Sequence, residues 1–338
     1  MVDRRVSSSR KQPKADAAKV NSLAPGLDVI IVGGGPAGLS AALVLGRCLR
    51  KVLVCDAGNP RNKSASIFNG YLSRDGSTPA EFLQVSRAQL QRYRETVQIR
   101  DAVVKSIVRR DKRFTAILDT GESFDSRMVL LATGLVDELP QIENFRSFYG
   151  KTAHNCPYCD GWEVRGQTLA VVGGDQAAAE LAIELLLWSK KITLCANGRL
   201  TCDRKTKKTL QRLELSVTER IIKSLEGENG KLSGIRFVDE RFLPCDALFF
   251  SPGQYQRSSL AEELGCDFCQ EDNCIQCKEE TRTNVPGVFA AGNCTRGIQL
   301  VVAAVAEGME AAFAINNDLI EADAKSGALK KPGPLEAS

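Results

Sequence analysis

Two cysteines separated by two residues form the most chemically suggestive pattern in the sequence. They are Cys156 and Cys159 in the segment HNCPYCDGWE, where Asp160 follows the second cysteine and the chain's one histidine, His154, precedes the first. Such a pair fits a redox disulfide, half of a metal site, or two reduced core thiols. Zinc would need further ligands at suitable spacing, and His154 lies too close along the chain to bind the same ion easily.

The residues around the pair favour redox chemistry. Pro157 suits the first turn of a helix. Cys156 then lies at or beside the N-cap, where the helix dipole lowers the pKa of a thiol and raises its reactivity. A separation of three residues is also the spacing of a small redox loop. We therefore predict a redox-active Cys156–Cys159 disulfide.

A glycine turn near the start of the chain predicts a dinucleotide site. The apolar strand Leu27 to Val32 runs into GGGPAG, a helical pattern follows, and the strand Lys51 to Cys55 ends at Asp56. In such a unit Gly33 allows the tight turn, Gly35 lets the backbone approach a diphosphate, and Gly38 lets the helix pack on the strand. The helix N-terminus offers free N–H groups to the phosphates, and Asp56 is placed to bind ribose hydroxyls.

A second unit of the same kind begins at Thr168 and is degenerate. Its glycine turn consists of four residues: Gly173, Gly174, Asp175 and Gln176. Asp175 takes the place of the glycine that would let a diphosphate approach. The following strand, Lys191 to Cys195, ends in CANG, without an acid for a ribose or an immediate arginine for a 2′-phosphate. The sequence leaves open a different ligand here.

The order of elements predicts an α/β protein with two Rossmann-like nucleotide-binding domains, the second inserted in the first. A helix is expected from Pro79 to Val97 and another from Gln299 to about Leu319, and strands are expected at Ala247–Phe250 and through Thr283–Asn293. The predicted parts are a disordered basic tail (1–26), a discontinuous dinucleotide-binding domain (27–139 and 254–322), an inserted domain of the same kind carrying the cysteine pair (140–253), and a second disordered tail (323–338).

Composition narrows the class of protein. The 338 residues are 43% hydrophobic and 25% charged, as in a globular protein, and the net charge is only +4. Basic residues are not interleaved with aromatic ones, which argues against nucleic acid as a partner. The sequence contains no apolar run long enough for a membrane span and no secretory signal. Twelve cysteines in such a chain indicate a reducing cytoplasm with mostly free thiols.

A second cysteine cluster lies near the C-terminal end. Cys266 and Cys269 form one pair with two intervening residues, and Cys274 and Cys277 form another. Four thiols suit zinc or an iron–sulfur cluster. The segment also looks like a β-hairpin, in which the thiols could form disulfides or stay reduced. We favour auxiliary redox chemistry or simple substitution over a metal.

The chain resembles the low-molecular-weight thioredoxin reductases and their relatives, the flavin-dependent dithiol oxidases, over about Leu27 to Ile320. Four motifs carry the resemblance: GGGPAG, ATG, CPYCDG, and TNVPGVFAAGN followed by QLVVAAVAEG. It implies a flavin-dependent disulfide oxidoreductase with FAD in the discontinuous domain and an NAD(P)-like inserted domain. In the degenerate second site it leaves open a second nucleotide or a flavin. The implied cofactor contacts are Gly33, Gly35, Pro36, Ala37, Gly38, Asp56, Ala57, Arg61, Asn62, Thr133, Gly134, Gly292, Asn293, Gln299 and Leu300.

The resemblance also implies roles around the cysteine pair. Cys159 would face the flavin, Cys156 would exchange with the substrate, and Asp160 would be the acid/base. His154 is a candidate second base, with an ordinary loop histidine as the alternative. Where the family's motif usually ends in Ala-Gly-Asp, this chain has Asn293, which can still form hydrogen bonds to the cofactor.

Electron partners are the least determined feature. Relatives that use NADPH carry an intact second glycine turn and an arginine cluster, and both are missing here, which argues against NADPH as donor. The implied partners are a thioredoxin-like protein or a small dithiol or disulfide, a ferredoxin-type donor, and a second copy of the chain in a homodimer. The alternatives are an NADPH-dependent thioredoxin reductase, an O₂-dependent small-molecule dithiol oxidase, and a flavin redox sensor without turnover.

Overall fold

The computed structural model describes residues 26–295 and 297–329. The chain first builds a nucleotide-binding unit from the glycine-turn segment, because apolar strands alternate with helices that can cover them. Its helices are α1 (Pro36–Arg47) and α2 (Pro79–Leu90). Its strands are β1 (Leu27–Val32), β2 (Val52–Asp56), β3 (Val97–Asp101), β4 (Val104–Arg110), β5 (Arg113–Leu118), β6 (Ser123–Leu131) and the short β7 (Leu135–Glu138).

The inserted unit follows β7. Its helices are α3 (Phe145–Phe148), α4 (Pro157–Asp160), α5 (Gln176–Glu184) and α6 (Arg204–Arg212). Its strands are β8 (Ala153–His154), β9 (Thr168–Val172), β10 (Lys191–Cys195), β11 (Ser216–Thr218), β12 (Ile222–Glu228), β13 (Lys231–Phe237), β14 (Phe242–Pro244) and β15 (Ala247–Phe250). The chain then returns through β16 (Gly253–Gln256), α7 (Leu260–Glu263), β17 (Val288–Ala290) and α8 (Val301–Ser326).

Strand pairing shows how the first unit is completed. Its main sheet has the order β3-β2-β1-β6-β5-β4, and β17 adds to β6 in parallel register, with Phe289 opposite Leu130. A strand from the end of the chain therefore completes a sheet begun at residue 27. The second sheet has the order β11-β10-β9-β15-β8. The antiparallel pair β7–β16 forms the two chain crossings between the units.

Helix packing places the glycine turns against buried strands. The residues of β1 are nearly all buried, and α8 lies directly against α1. Gly308 of α8 makes this contact close, because a Cβ there would lie 2.1 Å from the carbonyl oxygen of Ala37. In the inserted unit α5 covers β9 and β10 through Ala179 and Ala182. The predicted fold class, two Rossmann-like units with one inserted in the other, is confirmed.

Three element boundaries differ from the sequence predictions. Helix α2 ends at Leu90 rather than Val97, because the chain passes through a short 3₁₀ turn and Val97 begins a parallel strand against β2. The strand expected through Thr283–Asn293 is only Val288–Ala290. The tail predicted from Asp323 is helical at its start, since α8 continues to Ser326 and ends at Gly327 with φ +72°.

The rest of that tail, from residue 330, lies outside the described residues, as does the N-terminal tail up to residue 25. Within the part of the chain that the structure describes, no helix has the length and apolarity needed to cross a membrane.

Candidate functional site

One cavity of about 1100 Å³ contains both the glycine turn of the first unit and the cysteine pair of the second. It brings together most of the residues that the sequence singled out. These are His154, Cys156, Cys159 and Asp160, together with Gly33, Gly35, Pro36, Ala37, Asp56, Ala57, Arg61, Asn62, Thr133, Gly134, Gly292, Asn293, Gln299 and Leu300. Residues more than a hundred positions apart thus face one space, which suits a ligand that links the two units.

The glycine turn has the form of a diphosphate cradle. Gly33 has φ +112°, and a Cβ on Gly38 would lie 1.9 Å from the carbonyl oxygen of Gly33, so both positions require glycine. Among the described residues no atom lies within 4 Å of a Cβ placed on Gly35, and no side chain caps the N-terminus of α1. The first N–H groups of α1 are therefore open to a negatively charged ligand. Gly38 packs the helix on the strand and does not line the cavity.

Asp56 stands at the end of β2, at the ribose position of such a site. Its carboxylate pairs with the guanidinium of Arg87 on α2 and accepts from the N–H of Gly58 at 3.1 Å. A carboxylate has lone pairs for several donors, so these contacts orient Asp56 while it still lines the cavity. Sequence analysis did not identify Arg87, because an arginine on an amphipathic helix carries no distinguishing signal.

The C-terminal motif lies beside the start of α1, where a Cβ on Gly292 would be 3.0 Å from Ala37 Cβ. Gly292 has φ +82° and donates its N–H to the Glu307 carboxylate at 2.7 Å, and Thr295 Oγ1 donates to the same carboxylate at 3.1 Å. Burial raises the pKa of Glu307 above its ordinary value, while these two hydrogen bonds lower it. Glu307 thereby fixes the turn that presents Asn293 to the cavity. The first turn of α8, after Leu300, has no side-chain cap among the described residues.

The cysteine pair forms a disulfide at the start of α4. Cys156 is the N-cap, Pro157 occupies the first helical turn, and the two Cα atoms are 5.3 Å apart. The N–H of Cys159 donates to Cys156 Sγ at 3.2 Å. In the reduced protein this donor favours the thiolate form of Cys156. The structure therefore joins the two cysteines in a disulfide and places Cys156 at the N-cap of a helix, where Pro157 predicted a helix start.

His154 and Asp160 are in contact next to the cysteine pair. His154 Nδ1 lies 3.2 Å from Asp160 Oδ1, and the imidazole ring is tilted by 37° to the ring of Phe249, with ring centroids 5.3 Å apart. The histidine is buried, and its Nε2 has no hydrogen-bond partner among the described residues. Its position on β8 fixes it there, since His154 is in register with Phe249 of β15. The arrangement provides two groups that can share one proton near the sulfurs.

Two contacts that the sequence did not indicate hold the units together at the cavity. Asn69, in the loop after β2, donates its amide to the carbonyl oxygen of Cys159 at 2.9 Å. Asp137 of β7, whose side chain is 4% exposed, accepts from Arg61 at 2.6 Å, from Tyr149 Oη at 2.6 Å and from Gln254 Nε2 at 3.1 Å. These partners come from the first unit, the inserted unit and β16, so Asp137 joins all three.

The degenerate glycine turn is occupied by contacts from its own domain. Asp175 Oδ1 accepts from the N–H of Ala178 at 2.9 Å and so caps α5. Both the N–H and Oγ1 of Thr201 donate to the carbonyl oxygen of Gly174, at 2.7 Å and 2.9 Å. Gln176 Nε2 donates to Thr206 Oγ1, and Gln176 Oε1 accepts from the N–H of Asp203. The four predicted residues, Gly173, Gly174, Asp175 and Gln176, do not line the large cavity.

Other residues of α5 do face the cavity, and two of them are acidic. Glu180 and Glu184 contribute to its wall.

The second cysteine cluster lies apart from this cavity. Cys266, Cys269, Cys274 and Cys277 are all free thiols, and Phe268 pairs with Ile275 in an antiparallel bridge, as expected for a hairpin. Over residues 26–295 and 297–329, no group of three or more His, Cys, Asp or Glu side chains is arranged to hold a metal ion.

Comparison with known proteins places this geometry in a family. Residues 27–308 match the family model described as pyridine nucleotide-disulphide oxidoreductase. The chain is 27% identical over 312 residues to thioredoxin reductase sirT of Leptosphaeria maculans, covering 88% of this chain and 95% of that protein.

Two solved structures agree with this assignment. The crystal structure of HlmI superposes with a TM-score of 0.85 at 35% identity, covering 90% of this chain and 95% of that one. A putative thioredoxin reductase TrxB from Bacillus anthracis superposes with a TM-score of 0.82 at 29% identity, covering 88% and 99%. The chain belongs to the pyridine nucleotide-disulphide oxidoreductase family, as a thioredoxin reductase-like flavin-dependent disulfide oxidoreductase.

Proposed function

We propose that the protein cycles electrons between FAD, the Cys156–Cys159 disulfide and an external dithiol or disulfide, without using NADPH. The observation that carries the proposal is the single cavity that contains both the open glycine cradle and the disulfide. Family membership implies FAD binding. The residues present fit this cofactor, because α1 presents uncapped N–H groups at Gly35 and the Gly292–Asn293 turn lies beside Ala37 and lines the same cavity.

The chain's own residues account for the thiol chemistry. An external thiolate attacks Cys156 Sγ, the S–S bond breaks, and Cys159 leaves as a thiolate. The second thiol of the substrate then attacks its own sulfur bound to Cys156, which releases the oxidised substrate and leaves Cys156 reduced. In this second step Cys156 leaves as a thiolate, and the N–H of Cys159, 3.2 Å from Cys156 Sγ, stabilises its negative charge.

Proton handling falls to the pair beside the disulfide. Asp160 accepts the proton of the incoming thiol, and His154 Nδ1, 3.2 Å from Asp160 Oδ1, shares it. When FAD is bound, it supplies a two-electron acceptor for the reduced cysteine pair. The hydrogen bond from Asn69 to the carbonyl of Cys159 holds the pair on the side of the cavity nearest the first unit.

Independence from NADPH is supported by the second glycine turn. The carboxylate of Asp175 already accepts from the N–H of Ala178 at the N-terminus of α5. A dinucleotide would have to displace this cap to bring its diphosphate to those N–H groups, and β10 ends without an acid for the ribose or an immediate arginine for a 2′-phosphate. A ferredoxin-type donor, or O₂ as the electron acceptor, remains compatible with this arrangement.

The substrate class follows from the surface next to the pair. Tyr158 and Trp162, 73% and 66% exposed, flank the disulfide, and Arg165 stacks over the Trp162 ring at 4.0 Å. Exposed aromatic side chains favour an apolar or protein partner. A small-molecule dithiol and a thioredoxin-like protein both fit this description. The relatives named thioredoxin reductase favour a thioredoxin-like protein as the substrate. An NADPH-dependent thioredoxin reductase is therefore the alternative function.

A test of the proposal measures turnover with a dithiol in air. We expect purified, FAD-loaded protein to consume a small dithiol with matching O₂ uptake. The Cys159→Ser variant should lose this activity by more than about 1000-fold, as expected when a nucleophile is removed, while it keeps its FAD absorbance. The Cys48→Ser variant, which changes an exposed thiol remote from the cavity, should be unaffected. Full activity of Cys159→Ser would refute the catalytic assignment.

We also propose a homodimer, assembled in the cytoplasm. Along α8, Val302, Met309, Phe313 and Ile320 are exposed and fall on one side of the helix, since they are spaced by seven, four and seven residues. The opposite side of α8 packs on α1. Light scattering should give the mass of two chains, and Phe313→Glu should shift it towards one; a monomeric wild type would contradict the proposal.

A further inference from the structure

The second cysteine cluster is organised by a hairpin. Phe268 and Ile275 form an antiparallel bridge, the N–H of Cys269 donates to the carbonyl of Cys274 at 2.9 Å, and the N–H of Gln276 donates to the carbonyl of Asp267 at 2.8 Å. This register sets Cys269 directly opposite Cys274. Directly opposed residues share a face of the hairpin.

The spacing of such a pair suits a disulfide. Opposed residues of antiparallel strands have Cα atoms about 4.5–5.5 Å apart, within the range of about 4.4–6.8 Å that a disulfide spans. Burial and the neighbouring Asp272 raise the pKa of Cys274 to about 12, and charge on Cys269 adds to this rise. The hairpin register places the two thiols within reach of each other.

The two thiols differ in access to solvent, as the two steps of an exchange require. Cys269 is partly exposed near the hairpin tip, whereas Cys274 is 3% exposed. Cys269 is thus the thiol that an external reagent reaches, and Cys274 is the thiol that resolves the product. The high pKa of Cys274 makes the second step the slower one at neutral pH.

A second thiol pair in the same hairpin provides an internal contrast. The register continues to Cys266 opposite Cys277, but these side chains pack against the core of the first unit. Cys277 Sγ lies 3.8 Å from the carbonyl oxygen of Ala290, and burial raises the pKa of Cys277 to about 12. Cys266 is buried, and Cys277, which is partly exposed as Cys269 is, has a raised pKa that disfavours its thiolate at neutral pH.

The hairpin tip is tied to the C-terminal cofactor motif. The N–H of Ile275 donates to the carbonyl of Cys294 at 2.8 Å. Gln256 Nε2 donates to the carbonyls of both Asn273 and Cys294, at 3.0 Å and 2.9 Å. Cys294 directly follows Asn293, which faces the large cavity. A covalent change at the tip therefore acts on a segment next to that cavity.

We propose that Cys269 and Cys274 are a second dithiol–disulfide site, whose substrate is a low-molecular-weight disulfide. The Cys269 thiolate attacks one sulfur of the disulfide, whose S–S bond breaks, and the first thiol product leaves and takes up a proton from solvent. The Cys274 thiolate then attacks Cys269 Sγ and releases the second thiol product. Two protein thiols are oxidised to one disulfide, and one external disulfide is reduced to two thiols.

The test uses the whole, FAD-loaded protein and oxidised glutathione as the probe. The protein is reduced, freed of reductant, mixed with the probe, quenched in acid, alkylated and mapped by peptide mass. We expect Cys269 and Cys274 to be joined by a disulfide, seen as a mass lower by two hydrogen atoms and as two missing alkyl groups. Cys266 and Cys277 should be found alkylated, as free thiols. Cys48, an exposed thiol, should instead carry a stable glutathione adduct. A glutathione adduct on Cys269 of the wild type, or Cys269 left unmodified, would overturn the proposal.

Two variants separate exchange from structural damage. Cys274→Ser should trap glutathione on Cys269, since the resolving thiol is gone. Cys159→Ser should still form the Cys269–Cys274 disulfide, which keeps this outcome independent of the catalytic pair. If the Cys274→Ser variant loses its FAD, it is structurally damaged, and the wild-type peptide map alone then decides between exchange and no exchange. Alkylated Cys269 in an FAD-loaded Cys274→Ser variant would count against the exchange.

Discussion

At the residue scale, the site depends on a few atoms around one disulfide. The N–H of Cys159 faces Cys156 Sγ, and the carboxylate of Asp160 faces His154. Sequence alone predicted the reactive pair and its position at a helix start, because Pro157 and the three-residue spacing act locally. The sequence did not predict that the His154 Nε2 would be buried without a partner among the described residues, since that depends on the packing of β8 against β15.

Asp160 gives a prediction at this scale. Asp160→Asn removes the proton acceptor but keeps the shape of the side chain, so dithiol oxidation should fall about 100-fold at neutral pH. The loss should shrink as pH rises towards the pKa of the substrate thiol, because the substrate then arrives as a thiolate. A pH profile of turnover for wild type and variant tests this, with His154→Gln expected to have a smaller effect. An equal loss at every pH would indicate a structural role.

At the scale of elements, the two glycine turns show what a motif predicts and what it does not. The strands Lys191–Cys195 and Ala247–Phe250 match the sequence prediction, because short apolar runs bounded by loops define them. The end of α2 was missed because its amphipathic pattern continues across a 3₁₀ turn. The degenerate turn was recognised from Asp175. The hydrogen bond from Thr201 to the carbonyl oxygen of Gly174 was not, because no local pattern connects these two residues.

The cap on α5 leads to a second prediction. Asp175→Ala removes an N-cap and should lower the free energy of unfolding by about 1 kcal/mol in urea titrations. Asp203→Ala removes the equivalent cap on α6, where Oδ1 accepts from Thr206 at 2.7 Å, and serves as the matched control. Asp175→Ala should not enable reduction by NADPH, since the unit still lacks an acid for the ribose and an immediate arginine for a 2′-phosphate after β10. Reduction of that variant by NADPH would show that Asp175 alone closes the site.

At the scale of the whole molecule, Asp137 connects parts that are distant in the sequence. Its partners Arg61, Tyr149 and Gln254 belong to the first unit, the inserted unit and β16. Sequence analysis predicted two units and an insertion, but not the contacts that set their relative position. Such contacts link residues up to 117 positions apart, so they become visible only in three dimensions.

Asp137 also makes stability depend on pH. Burial would raise its pKa, but hydrogen bonds from Arg61, Tyr149 and Gln254 outweigh this effect and hold the pKa below its usual range. The stabilisation is therefore fully present above the unfolded carboxyl pKa of about 4 and is lost as pH falls through the lower folded value. Asp137→Asn should reduce the free energy of unfolding above about pH 5, and the difference from wild type should shrink in acid. The exposed Asp239→Asn is the control; a constant difference at all pH values would contradict the account.

The most direct measurement mixes the FAD-loaded protein anaerobically with one reductant at a time and follows the flavin absorbance. We expect a dithiol to bleach the flavin, and the Cys159→Ser variant to remain oxidised in the same experiment. NADPH should leave the wild-type flavin oxidised, because Asp175 caps α5 in the second glycine turn and no immediate arginine follows β10. Rapid bleaching by NADPH, or failure of every dithiol to bleach the wild type, would contradict the proposed electron path.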